Sequence, residues 1–418
     1  MANERPRVLI LGGGFAGIGA AQKLEDAEAE VVLVDRHDYH TFQPLLYQFA
    51  SGLLEQTAVA HSLRDLVARQ DNTVVHRATV NGVDLAAHEV SFDGMAPMPY
   101  DFLVFGLGAE VNFFGTEGAA DHAYPMYTLP HAVRLKNHVL ERWETADRDP
   151  SMVEDGALNI VVVGGGPTGV ETAGAIAELY RGAFAKDYPS IPQDQARVIL
   201  VEASPELFSM FKPKLRAYAA KALAERTVDV MTGALVASVS PTRVTLKSGE
   251  DLKAHTLVWG AGLQGNRLVQ TLGLELQRGN RIGVGPDLTL SDHPEVYVLG
   301  DAAAIVHDDA EQVLPQLGSV ALQSGEHTGE TIARRIAGKK TKPFKYHDKG
   351  TMATIGRGAA VVEMLGGRTM TGKKAQAAWG AVHLALLPTN EDRAKAVVDW
   401  AGAALTHQRV GRITVESE

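Results

Sequence analysis

The chain has 418 residues, a formal net charge of −10 at pH 7 and 45% hydrophobic residues. That length points to two or three domains with a sizeable core. That hydrophobic share argues against wholesale disorder, and an acidic balance with no long basic run argues against nucleic acid as the main partner. No cysteine occurs, so electron relay through a protein thiol or disulfide is excluded.

The N-terminal MANERPRVLI passes straight into a strand pattern without an apolar leader, so a cytoplasmic location is expected. No uninterrupted apolar run reaches the roughly 18 residues of a spanning helix. RVLILGGGFAG then sets Gly12, Gly14 and Gly17 between a short aliphatic run and a helical pattern carried by Ile18, Ala20, Ala21 and Leu24. Strand, tight turn and helix are the context that a dinucleotide-binding GxGxxG needs. Its first glycine permits the turn, its second admits a pyrophosphate, and its third lets helix and strand pack closely. The phosphates then meet the free N–H groups of a helix N-terminus. A plain glycine loop is the alternative.

EVVLVDR (30–36) reads as the next strand, ending at Asp35. An acid about 20 residues beyond such a turn bonds a ribose hydroxyl; otherwise Asp35 is an ordinary strand-end residue. HDYHTFQPLLYQFASGLLEQTAVAH (37–61) reads as an apolar loop followed by a helix. From Thr73 to Val104 short alternating runs predict a small β-meander feeding a buried strand, and 119–150 reads as charged helix.

NIVVVGGGPTG repeats the first arrangement with Gly164, Gly166 and Gly169, followed by Val170, Ala173, Ile176, Ala177 and Tyr180 at helical spacing. Glu202 ends the following strand, the counterpart of Asp35. A carboxylate there accepts both ribose hydroxyls and repels a 2′-phosphate, which favours NADH over NADPH; Lys212 and Lys214 stand not far away. Two such units in one chain suit a bound flavin and a diffusing nicotinamide, hence a flavoprotein reductase. HTLVWGAG (255–262) closes the second unit. EVYVLGDAAA (295–304) ends in Gly300-Asp301, whose acid suits a flavin ribityl hydroxyl as well as a plain turn. After a loop, a helix is expected from about Leu317. From Thr341 onward the pattern changes to two or three strands, then two helices across KKAQAAWGAVHLALLPTNEDRAKAVVDWAGAALTH. The 15 histidines show no paired ligand spacing, so no metal is expected, and His37, His40 and His383 read as structural or interfacial.

HDYHTFQPLLYQFASG, VVVGGGPTGVETAGAIAEL, YVLGDAAA and KGTMATIGRGAAVVE together resemble the type II NADH dehydrogenases, over nearly the whole chain. The resemblance implies noncovalent FAD, reduced by NADH and reoxidised by a membrane quinone without proton pumping. It implies FAD contacts for Gly12, Gly14, Gly17, Asp35, Arg36, Gln43, Pro44, Leu45, Leu46, Val80, Gly108 and Asp301. It implies NADH contacts for Gly164, Gly166, Gly169, Glu202 and Gly262. It also singles out Glu171 as a carboxyl near the reacting rings, able to relay protons; the alternative is a helix N-terminal acid held by the dipole.

Two departures from the family pattern stand out. In GSVALQSGEH (318–327), Ser319 replaces an expected glutamine while Gln323 remains, with Gln316 able to compensate on the quinone side. The C-terminal pair offers Trp379, Leu384, Leu386, Leu387, Val397, Val398 and Trp400 among many alanines and glycines. A weaker grip on the inner face of the cell membrane is expected, or packing on the protein or on a second copy in a homodimer.

The fold expected is α/β with two Rossmann-like dinucleotide-binding domains. A discontinuous FAD domain spans 1–118 and 263–340, an inserted NADH domain spans 119–262, and 341–418 is a C-terminal β/helical segment. The function expected is NADH to FAD to quinone transfer. Two alternatives stay open: a soluble NAD(P)H-dependent flavin reductase acting on a quinone-like metabolite or an electron-transfer protein, and a redox sensor with poor turnover.

Overall fold

The computed structural model describes residues 5–307, 312–406, 409 and 411–414. The start of the expected N-terminal entry (1–4), part of the expected loop at 308–311 and the expected helix residue His407 lie outside the described residues. Two compact units emerge. The first takes the described residues up to Thr41, Ala60–Val111 and Leu263–His347. The second takes Phe42–Val59, Asn112–Gly262 and the described residues from Asp348 onward.

The first unit is built on a parallel sheet in the order Val296–Val298, Phe102–Phe105, Arg7–Leu11, Glu30–Asp35, Thr73–Arg77. Its central strands are runs of Val, Leu and Ile because helices and loops cover both faces; Val8, Leu9, Ile10 and Leu11 are fully buried. The helices Phe15–Lys23 and Gly318–Ile336 lie against each other through glycine. A Cβ on Gly325 would stand 2.0 Å from the Ala16 carbonyl oxygen, and one on Gly329 would stand 2.3 Å from that of Ala20.

Thr73–Arg77 corrects one expectation. It is the edge strand of the parallel sheet, and the meander proper is Val80–Asp84, Glu89–Phe92 and Met95–Pro99. A parallel edge strand is only half covered, so its alternation mimics that of a hairpin; Val75 is its one buried residue.

The second unit repeats the plan: Tyr124–Pro125, Thr256–Trp259, Ile160–Val163, Val198–Glu202, Val228–Thr232, all parallel. The expected helix over 119–150 is interrupted. A turn at Ala119–His122 and the strand Tyr124–Pro125 precede the helix Leu129–Arg148, whose start Thr128 caps through its hydroxyl. The segment read as loop then helix holds a 3₁₀ turn, Gln43–Leu45, and the short helix Leu46–Ala50, both in this unit.

The helix Pro167–Leu179 runs on into a π-helical turn, Tyr180–Phe184. That turn packs its rings on the fully buried Trp143, with centroids 4.9 Å away for Tyr180 and 4.7 Å for Phe184. An antiparallel sheet, Thr351–Gly356, Ala359–Glu363 and Thr369–Thr371, lies on the same helix. Contact is close because a Cβ on Gly174 would stand 1.9 Å from the Ile355 carbonyl oxygen. Two helices follow, Gly372–Leu386 and Asn390–Thr406. The Arg393 guanidinium donates to the carbonyls of Ala385 and Leu387, satisfying the end of the first of them.

Gly325→Ala tests the close helix pair of the first unit. We expect a loss of about 1–3 kcal/mol from overpacking, read as a lower urea midpoint; an unchanged midpoint would show that the two helices part freely.

Candidate functional site

The two glycine turns are near copies in their geometry. Gly12 and Gly164 have φ of +101° and +115°, the region that favours glycine. A Cβ on Gly17 would stand 1.8 Å from the Gly12 carbonyl oxygen, and one on Gly169 would stand 1.8 Å from that of Gly164. Each helix therefore starts directly on its turn. By contrast, nothing lies within 4 Å of a Cβ built on Gly14 or Gly166. These open positions are the N-caps of helices whose first turns receive no side-chain cap. Free N–H groups facing open space at a helix start make an anion cradle.

The strand-end carboxylates brace both turns. Asp35 accepts the N–H groups of Gly13 and His37, each at 2.7 Å. Glu202 accepts those of Gly165 and, at 2.6 Å, of Ser204. A carboxylate has about four acceptor sites, so both retain capacity for ribose hydroxyls. A residue not singled out for this role, His40, holds the first turn from the other side. Its Nδ1 lies 2.9 Å from the Gly13 carbonyl oxygen, which makes Nδ1 the protonated nitrogen of a neutral ring. Burial pushes its pKa down to about 4.

The remaining residues expected around the first turn divide between the units. Arg36 is exposed, Val80 packs on the first unit's core, and Gly108 takes a φ of +66° after the strand Phe102–Phe105. Asp301 sits in a 3₁₀ turn whose Gly300 N–H donates to Ser324 Oγ, and its carbonyl accepts from Gln316 Nε2. Gln43, Pro44, Leu45 and Leu46 fall in the second unit. Ser319 shares a 2.9 Å hydrogen bond with the Tyr346 hydroxyl, and Gln323 holds both backbone groups of His347.

In the second unit a cavity of about 600 Å³ runs along the ends of the parallel strands. It brings together Gly164, Gly166, Glu202 and Gly262. Glu202 and Gly262 follow strands on opposite sides of Ile160–Val163, so the two ends lie about 10 Å apart, two strand spacings. Leu235 walls the Glu202 end, and Phe114 covers Gly262 at the other. Phe114 is 67% exposed and has a φ of +52°, with its N–H bonded to Asn112 Oδ1. The lysine that lines the cavity is Lys247. Lys212 is engaged elsewhere, with Glu363 and the Gly367 carbonyl.

A second cavity of the same unit, about 900 Å³, holds Glu171. Trp379, Gly380, Leu384 and Trp400 form apolar wall, and Arg181 and Lys373 stand exposed at its rim. Glu171 accepts the Thr354 N–H at 3.0 Å. Burial pushes its carboxyl up to about 8, against the opposing effect of that hydrogen bond. Tyr47 and Gln48 also line this cavity. They belong to the PLLYQ string of the family resemblance, where the sequence alone assigns neither a role.

Two parallel-sheet units with matching braced turns define a dinucleotide-binding oxidoreductase fold. Residues 6–325 match the family described as pyridine nucleotide-disulphide oxidoreductase. The chain is 34% identical to a type II NADH:quinone oxidoreductase of Mycobacterium tuberculosis, over 99% of this chain and 91% of that protein. It is 30% identical to that of Staphylococcus saprophyticus, over 90% and 93% respectively. The chain belongs to the type II NADH:quinone oxidoreductase family. Among solved structures, NDH2 of Plasmodium falciparum in complex with NADH matches with a TM-score of 0.90 at 18% identity, covering 99% of this chain and 100% of that one. The sulfide:quinone oxidoreductase of Aquifex aeolicus matches at 0.72 and 17%, covering 96% and 95%. With no cysteine, the disulphide chemistry in the broader family's name is closed to this chain.

Gly166→Ala and Gly169→Ala separate binding from folding. The first adds a methyl to open space, so we expect an unchanged melting temperature with dinucleotide binding weakened roughly tenfold, about 1.4 kcal/mol. The second drives a methyl into the turn and should lower the melting temperature. Titration of NADH alongside thermal unfolding checks both.

Proposed function

We propose that this protein oxidises NADH with the help of bound FAD and passes two electrons to a quinone, without pumping protons. The observation that carries this reading is the cavity around Glu171, walled in part by Trp379 and Trp400 and lined by a carboxyl whose pKa burial pushes up to about 8, in a chain with no thiol. The relatives' activity supports the same acceptor over a soluble metabolite or a sensing role.

The residues present fit both nucleotides. Gly12, Gly14, Gly17 and Asp35 would hold FAD, with Arg36, Val80, Gly108, Asp301 and the Gln43–Leu46 segment as further contacts. Gly164, Gly166, Gly169, Glu202 and Gly262 would hold NADH, and Glu202 would disfavour a 2′-phosphate. The flavin, when bound, supplies hydride acceptance and two-electron delivery. The chain's own part is to orient, to exclude water and to hold a proton. Reducing a quinone to a quinol takes two electrons and two protons. NADH yields two electrons and one proton, so each turnover draws one proton from solvent. Glu171, neutral below about pH 8, holds a proton in the acceptor cavity. Gln316, Ser319 and Gln323 remain candidates for contact with the quinone through the helix that carries them.

No helix among the described residues is long and apolar enough to cross a membrane. Val382, Leu386, Val397 and Val398 of the C-terminal helices are exposed, whereas Trp379 and Leu387 are buried. We propose that the exposed residues rest on the surface of the inner leaflet and that the attachment is weak. A homodimer contact is the other use of the same residues.

The deciding experiment is anaerobic. One equivalent of NADH should bleach the flavin of the holoenzyme, and a short-chain naphthoquinone should restore it. Bleaching without recovery would overturn the quinone reading; no bleaching would overturn the NADH assignment. The quinone limb should slow as pH rises through about 8, because Glu171 loses its proton there. Glu171→Gln should remove that limb and lower the quinone rate roughly 10²-fold, at the lower end of general acid catalysis.

A further inference from the structure

The buried end of the Glu171 cavity carries a hydrogen-bond chain whose direction can be read atom by atom. It starts on the last helix. Trp400 Nε1 lies 2.7 Å from Gln48 Oε1. An indole N–H only donates, so the carbonyl end of the Gln48 amide is committed to Trp400. The NH₂ end then faces Tyr47, with Nε2 3.0 Å from the phenolic oxygen. An amide NH₂ only donates, so Tyr47 accepts there. The remaining neighbour of the Tyr47 hydroxyl is Thr354 Oγ1, at 2.6 Å, which can donate or accept. Gln48, Tyr47 and Thr354 are each no more than 6% exposed, and all three line the cavity.

This polarity has a chemical consequence. With Gln48 donating to it, the Tyr47 oxygen keeps a single proton to give. When Thr354 also donates, no further hydrogen-bond partner for that proton stands among the described residues, and it is available to the cavity. In this arrangement a ligand that arrives with a carbonyl lone pair and no proton takes the Tyr47 proton, while Gln48 and Thr354 each spend a proton on the Tyr47 oxygen. Without the Trp400 N–H, the Gln48 amide is free to turn over. Its oxygen would then face Tyr47 and take the proton the ligand needs.

We infer that Tyr47 donates the hydrogen bond that receives the carbonyl oxygen of the electron acceptor, and that Trp400 is a positioning residue that sets Tyr47's direction through Gln48. The inference rests on the quinone reading above and deepens it. It assigns the terminal helix a part in acceptor recognition that does not depend on any contact between its indole N–H and the acceptor. Tyr47 orients and polarises the carbonyl, and the net proton comes from Glu171, so the balance of the reaction is unchanged.

The test uses the NADH-reduced holoenzyme and two oxidants: a short-chain naphthoquinone, and ferricyanide, an electron acceptor with no carbonyl. The readout is the ratio of the two reoxidation rates within each preparation, which general damage to flavin or fold does not move selectively. Tyr47→Phe removes the donor. Trp400→Phe keeps an aromatic ring and removes only the N–H. We expect each to lower the quinone-to-ferricyanide ratio about tenfold, the scale of one hydrogen bond worth about 1.4 kcal/mol. The double variant should be no worse than Tyr47→Phe alone, because both act through one hydroxyl. A ratio unchanged in Trp400→Phe, or losses that multiply in the double variant, would overturn the inference. If Tyr47→Phe fails to fold, Trp400→Phe with and without Gln48→Leu supplies the same comparison. Failure of the wild type to be reoxidised by naphthoquinone would instead defeat the quinone reading itself.

Discussion

A missing methyl group governs both nucleotide turns. Because Gly17 and Gly169 carry no Cβ, each helix begins with its backbone against the carbonyl oxygen of the turn's first glycine. Any side chain there would force helix and strand apart. That contact sets the rest in place: the helix N-terminus opens onto the unfilled space at Gly14 or Gly166. The neighbouring N–H, of Gly13 or Gly165, points at the acid that ends the next strand. Asp35 and Glu202 are thus parts of the turn before they are partners for a ligand, so replacing either disturbs backbone as well as recognition.

Charge burial organises the second unit in a complementary way. Glu171 and Glu178 stand seven residues apart on one helix, hence on the same face two turns apart. Glu178 meets two guanidinium groups, Arg226 at 3.0 Å and Arg409 at 3.7 Å. Glu171 meets the Thr354 N–H and the cavity. An ionised carboxylate without a cation partner is costly to bury, and Glu171 answers by keeping its proton. One face of one helix therefore offers an ion-paired carboxylate and an acid without a cation partner, set apart by their partners rather than by residue type.

Much of this was legible in the sequence because it repeats a local pattern. The glycine spacing, the aliphatic strands before it and the strand-end acids are all within about forty residues of one another, and each has a stated physical need. The edge strand Thr73–Arg77 was less legible, because half-burial gives the same alternation in a parallel edge as in a meander. The interruption of 119–150 was hidden because Tyr124–Pro125 is a two-residue strand, too short for any period to register. The partners of Tyr47 could not be read at all. Thr354 and Trp400 lie 307 and 352 residues from the groups they bond, and no periodicity reports a contact at that range. Ser319 shows the reverse limit: its replacement of glutamine was visible, but its pairing with Tyr346 was not.

The π-helical turn at Tyr180–Phe184 bears on how this chain compares with its kin. Such a turn is an α-helix with one residue inserted, and here it places Arg181 and Gly182 in the cavity wall while its rings stay on Trp143. A relative shorter by a single residue at this point could keep the glycine turn before it and the loop after it, yet present a different side chain to the cavity. Between two such enzymes the difference would register as a gap one residue long inside a helix.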